Sequence, residues 1–111
     1  MKPLNGIKVI DLTHMLAGPY AGMVIADLGA EVVKIEPLVT GEMTRGLLKT
    51  DPNYSYKAFG AYFLTLNRNK KSVSLDLKSQ EGLQVFYELV KSADVVLNNF
   101  SAGVVKKLKV D

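Results

Sequence analysis

Two short runs of aliphatic residues flank a longer apolar stretch within the first 36 residues, and this order leaves few folds open. Residues 7–12 place Ile7, Val9, Ile10 and Leu12 close together with few breakers, the pattern of a short buried strand. Residues 13–18 read as a turn. Pro19 suits the first position of a helix, where its missing N–H costs nothing. Residues 20–28 then read as that helix, apolar almost all round, with small residues at Ala21, Gly22 and Ala26 for close packing on a sheet. Gly29 supplies a left-handed cap. Residues 31–36 form the next strand, with Val33 and Ile35 on one face and Pro37 ending it. Strand, helix and strand joined by short connections form a βαβ unit, which predicts an α/β fold with a parallel sheet.

The rest of the chain extends this pattern. Residues 37–60 contain Pro37, Gly41, Gly46, Pro52 and Gly60 without clear periodicity, and a connection of that length points to function or mobility. Residues 61–66 and 72–77 read as extended segments around a basic turn at 67–71. Ser79 is placed to cap a helix carrying Leu83, Phe86, Tyr87 and Val90 at helical spacing, with Glu81 in its first turn. Gly82 is expected to weaken that helix by about 1 kcal/mol relative to alanine. Residues 93–97 read as a further strong strand, and a short helix is expected over 103–108. With 111 residues and 48% hydrophobic content, the chain fits one globular domain.

Several functions are excluded. The sequence holds no cysteine and one histidine, so neither disulfides nor a Cys/His metal cluster can form. It has no G-x-G-x-x-G and no Walker A lysine motif, which removes the usual dinucleotide and nucleoside triphosphate fingerprints. The net charge of +3 suits a small anionic ligand, while the absence of a basic arm or RNA-binding aromatic motif argues against nucleic acid. Asp27, Glu31 and Lys34 interrupt the most apolar stretch, so no membrane span is expected. No secretory signal is visible at the N-terminus, and a soluble, cytoplasmic protein is the expectation.

Ligands of open α/β sheets bind beyond the carboxyl ends of the strands. Three segments qualify: residues 13–18, those from Pro37 onward, and those at 98–103. The first leads into a helix N-terminus that favours an anion. His14 as a catalytic base would need a partner that the sequence does not reveal, so it reads rather as a structural residue or a ligand contact. Asp11 is expected to bond a turn, Asp27 to be an ordinary solvated charge, and Arg68, Lys70 and Lys71 to form a solvated turn. Lys106, Lys107 and Lys109 form a second basic group. Phe100 reads as core or as an exposed ring.

A specific resemblance joins these segments. Pro3-Leu4, Gly6-Ile7-Lys8-Val9-Ile10-Asp11-Leu12-Thr13 and Leu16-Ala17-Gly18-Pro19 open the match. Ala26-Asp27-Leu28-Gly29-Ala30-Glu31-Val32-Val33-Lys34-Ile35-Glu36 and Asn67-Arg68-Asn69-Lys70-Lys71-Ser72-Val73-Ser74-Leu75-Asp76-Leu77-Lys78 continue it. Ala93-Asp94-Val95-Val96, Asn99-Phe100 and Gly103-Val104 complete it. In order and spacing the chain resembles the start of the class III CoA-transferases, the CaiB/BaiF family. Thr13-His14 with Met43-Thr44-Arg45-Gly46 is similar to the formyl-CoA transferase branch.

The resemblance implies that residues 1–111 are the N-terminal portion of a larger, Rossmann-like coenzyme A-binding domain. It implies coenzyme A contacts at Leu16 and Ala17, at Leu75, Asp76, Leu77 and Lys78, at Asn99, Phe100 and Ser101, and at Lys107. Coenzyme A or acyl-CoA would be a substrate, with no permanently bound cofactor. A carboxylic acid would be the second substrate, and the enzyme a homodimer of interlocked subunits. The family's reaction runs through an aspartyl-CoA thioester. Its aspartate would fall beyond Asp111, so no catalytic residue is assigned here, and the chain alone is expected to be an inactive fragment. An acyl-CoA racemase fragment of the same family and a non-catalytic nucleotide-binding module remain as alternatives. Three positions depart from the pattern: Pro37 and Lys107 stand where arginines are expected, and Ala102 where a proline precedes the glycine.

Overall fold

The computed structural model describes all 111 residues and has the predicted α/β order. Strand β1 (Lys8–Asp11) leads to helix α1 (Ala17–Asp27) and strand β2 (Glu31–Glu36). A 3-10 helix (Met43–Gly46) and a hairpin of β3 (Ser55–Tyr56) and β4 (Phe59–Gly60) follow. Helix α2 (Ala61–Leu66), strand β5 (Lys70–Ser74), helix α3 (Gln80–Lys91), strand β6 (Val95–Leu97) and helix α4 (Val104–Leu108) complete the chain. The main sheet has four strands in the order β5-β2-β1-β6, every neighbouring pair parallel. The chain therefore moves outward from β1 to β5, then returns to the other side of β1. That reversal is the switch point at which open parallel sheets bind ligands.

Strand alternation divides the core between the two faces. On one side Val9 and Val32 pack with Ala26 of α1 and with Ala30. On the other, Ile10, Leu12, Val33 and Ile35 meet Phe86 of α3, which is 2% exposed. Leu83 and Val90 support Phe86 from the same helix face, as their spacing requires.

Four expectations are corrected. Helix α1 starts at Ala17, so Pro19 occupies its third position, still within the first turn where an N–H has no intrahelical partner. This early start depends on close approach: a Cβ on Gly18 would lie 2.4 Å from Thr13 Cβ. Residues 61–66 are helical rather than extended. A six-residue, nearly all-apolar run has no decisive periodicity, and packing of Phe63 and Leu66, three positions apart, selects the helix. Strand β6 is shorter than the expected 93–97, spanning Val95–Leu97, and it lies at the sheet edge with Val95 and Val96 exposed. Gly82 is required rather than merely tolerated, because a Cβ there would lie 2.1 Å from the Asp76 carbonyl oxygen. Gly29, with φ of +110°, ends α1 as expected.

Candidate functional site

All four parallel strands present their carboxyl ends at one edge, and the segments beyond them enclose a cleft of about 340 Å³. Leu12 and His14 come from the end of β1, Glu36, Pro37 and Leu38 from the end of β2, and the 75–78 loop from the end of β5. Phe100 follows β6, and Leu108 belongs to α4. An adjoining cleft of about 530 Å³ shares Leu77, Lys78 and Leu108 and adds Lys107 and Lys109. Volumes of this size accommodate small organic ligands.

Local hydrogen bonds explain the shape of the 75–78 loop. Leu75 N–H donates to Glu36 O at 3.0 Å, continuing the β5 ladder by one residue. Asp76 Oδ1 accepts Lys78 N–H at 2.9 Å, and Asp76 O accepts the Ser79 hydroxyl at 2.9 Å. Ser79 Oγ in turn accepts Gly82 N–H at 3.0 Å, capping α3 as predicted. The loop is thus tied to the first turn of α3, and Gly82 permits the contact.

The expected contacts divide into two groups. Leu75, Asp76, Leu77, Lys78 and Phe100 line the first cleft, and Lys107 lines its neighbour. Leu16 and Ala17 are exposed at the start of α1, and Asn99 and Ser101 are exposed beyond β6; none of these four lines either cleft. Asn99 acts through the backbone instead. Its Oδ1 accepts His14 N–H at 3.0 Å and its Nδ2 donates to His14 O at 2.8 Å, joining the ends of β1 and β6. Phe100 is half-buried, between its two readings, packing against the α3-side core while lining the cleft.

A buried polar network beneath α1 was not visible in the sequence. Asp11 accepts the backbone and hydroxyl of Thr13, as expected of a turn. It also receives Lys70 Nζ at 2.9 Å, with Lys34 Nζ 3.8 Å away. Lys70 is therefore not part of a solvated turn; its side chain is 2% exposed and also donates to Pro19 O and Asn67 Oδ1. Burial pulls Lys34 below the ordinary lysine range against the attraction of Asp11. Asp27 is likewise more than a solvated charge, since it receives Arg68 through both Nε and Nη2 and Asn69 through Nδ2. Asp11 and Lys34 are partners across the β1–β2 pairing, and the fold brings Lys70 to them.

Two buried glutamates pin the segment after β2. Burial alone would raise the Glu36 carboxyl; Arg45, Ser72 and the Glu42 N–H outweigh it and hold it at about 2. Arg45 grips Glu36 with Nε at 2.6 Å and Nη2 at 2.7 Å, and its guanidinium lies 3.9 Å from the Phe63 ring centre. Glu42 is also held at about 2: burial opposes ionisation, but the nearby His14 ring, the Thr44 hydroxyl and the Met15 N–H prevail. His14 Nδ1 itself is 3.8 Å from Glu42 Oε1, beyond hydrogen-bond distance. No three His, Asp or Glu side chains converge as a metal site.

A parallel sheet with a basic-rimmed cleft at its switch-point edge defines an α/β protein of the open-sheet kind. The profile of CoA-transferase family III matches residues 4–111, and this chain belongs to that family. A formyl-CoA:oxalate CoA-transferase from Afipia carboxidovorans is 42% identical over 107 residues, covering 96% of this chain and 24% of that protein. A succinyl-CoA:mesaconate CoA-transferase from Haloarcula hispanica is 43% identical over 107 residues, 96% of this chain and 27% of that protein. Among solved structures, a CaiB/BaiF family protein from Brucella suis matches 99% of this chain and 29% of its own, with a TM-score of 0.88 and 38% identity. A hypothetical protein from Mycobacterium tuberculosis matches 100% of this chain and 29% of its own, with a TM-score of 0.86 and 41% identity. The chain spans about a quarter of the length of the curated relatives it matches.

Proposed function

We propose that this chain supplies part of the coenzyme A site of a CoA-transferase that moves coenzyme A between acyl groups. The observation that carries the reading is the junction of two clefts at Leu77, Lys78 and Leu108. Leu75, Leu77 and Phe100 offer apolar surface to an adenine or pantetheine group. Lys78 and Lys107 offer ammonium groups to phosphates, as point charges without the fork of an arginine. The CoA-transferase names of the relatives favour transfer over racemisation as the reaction.

The chemistry of such a transfer is covalent catalysis. A carboxylate attacks the acyl-CoA carbonyl and releases the CoA thiolate, leaving a mixed anhydride. The thiolate then attacks the enzyme's side of the anhydride, giving an aspartyl-CoA thioester and the donor acid. The acceptor carboxylate repeats these steps in reverse. Neither carboxylate beside the cleft is disposed to start this sequence: Glu36 is 1% exposed and gripped by Arg45, and Asp76 is committed to the backbone of Lys78. On this reading the nucleophilic aspartate lies elsewhere in a homodimeric, cytoplasmic enzyme, and the 111 residues alone bind without turnover.

Isothermal titration of the 111-residue chain with coenzyme A tests the site. Weak binding that falls as salt rises is expected, because phosphate contacts are screened. Lys107→Glu should weaken it more than Lys49→Glu. Absence of heat at millimolar coenzyme A, or equal effects of the two substitutions, would overturn the assignment.

A further inference from the structure

His14 lines the cleft, yet the coenzyme A contacts above leave its ring without a role. Its backbone is fixed on both sides. Asn99 clamps its N–H and carbonyl, and the next residue, Met15, adopts φ of 70° while its N–H donates to Glu42 Oε1 at 2.9 Å. The side chain is 24% exposed, and its ring centre lies 6.1 Å from that of Phe100 at an angle of 39°. Nδ1 is buried, makes no hydrogen bond, and sits 3.8 Å from a Glu42 oxygen. Glu42 is 1% exposed, and its carboxylate also receives Thr44 and Met15.

A neutral imidazole carries a proton on one nitrogen and a lone pair on the other. A lone pair on Nδ1 would face the carboxylate and be repelled by it, whereas an N–H there is attracted. The proton on Nδ1 leaves Nε2 as the acceptor on the part of the ring open to the cleft. We propose that Glu42 holds His14 as its Nδ1–H tautomer, so that Nε2 accepts a hydrogen bond from an N–H or O–H group of the acyl-CoA in the cleft. Glu42 is then a positioning residue and His14 a recognition residue. The tautomer stands on this geometry alone; the identity of the ligand rests on the coenzyme A reading.

His14 is the only histidine, so a chain labelled with ¹⁵N-histidine gives a single pair of ring resonances. At a pH where the ring is neutral, the Nδ1–H pattern is expected, opposite to the tautomer free histidine prefers in water. Glu42→Gln, which keeps the shape and removes the charge, should raise the Nε2–H population. A wild-type ring in the Nε2–H form overturns the proposal whether or not the variant folds. An unchanged tautomer in a folded variant overturns the part assigned to Glu42. Coenzyme A that produces heat should move the Nε2 resonance, and binding with Nε2 unmoved overturns the recognition role while leaving the coenzyme A site intact. Coenzyme A that fails to bind overturns the recognition role and the coenzyme A reading together, with the tautomer still decided by the ligand-free spectrum. His14→Phe keeps a ring beside Phe100 and should lose about tenfold in affinity, the loss of one hydrogen bond.

Discussion

Single residues show how far local rules reach. Ser79 caps α3 because its side chain meets a backbone N–H three residues away, a relation the sequence itself contains. Gly82 obeys a different constraint. Helix propensity says that alanine is better there, but a Cβ would meet the Asp76 carbonyl oxygen at 2.1 Å, and a backbone atom cannot move aside cheaply. Gly82→Ala is therefore expected to destabilise the chain by about 1 to 3 kcal/mol, the usual range for overpacking, rather than stabilise it. Urea unfolding with an unchanged slope and a lower midpoint would bear this out, and a raised midpoint would contradict it. Lys70 shows the same contrast. Its place in a run of charges suggested solvent, whereas its ammonium is held by Asp11 and Pro19 O from distant parts of the fold and by Asn67 Oδ1 of its own turn.

At the level of elements, β1 and β2 were legible because their side chains follow the two faces of the sheet. Residues 31–36 contribute Val32 to one core cluster and Val33 and Ile35 to the other. Helix α2 was not legible, since an apolar run of six residues satisfies either period and only packing decides. The segment from Pro37 to Gly46 carried no period at all, and it is placed by charge. Glu36 and Glu42 hold it through Arg45, Met15 and Thr44. Both carboxyls are held at about 2 in the folded chain, against an ordinary value of 4.5. The folded state therefore binds fewer protons than the unfolded state, and the stability this provides is complete above 4.5. It is lost as pH falls from 4.5 toward 2. The urea midpoint should drop across that window, and Glu36→Gln should flatten the drop; a pH-independent midpoint would contradict the assignment.

For the whole molecule, the sheet order sets both the binding edge and an exposed one. Strand β6 pairs with β1 alone, and Val95 and Val96 are 45% and 36% exposed. An unpaired apolar edge invites another strand, so the isolated chain is expected to self-associate with rising concentration. Light scattering would read this directly, and a monodisperse monomer at high concentration would contradict it. The sequence by itself determined the βαβ opening, the bounds of β2, the α3 cap and the family to which the chain belongs. These depend on neighbours in the chain or on motifs in order, and both are written in one dimension. Only the tertiary structure decided that Asp11, Lys34 and Lys70 share a buried network, that Glu42 stands beside His14, and that the 75–78 loop meets Phe100 across the sheet edge. Those groups come from segments separated by up to dozens of residues. Their burial and partners exist only once parallel strand pairing has brought the segments to the same edge.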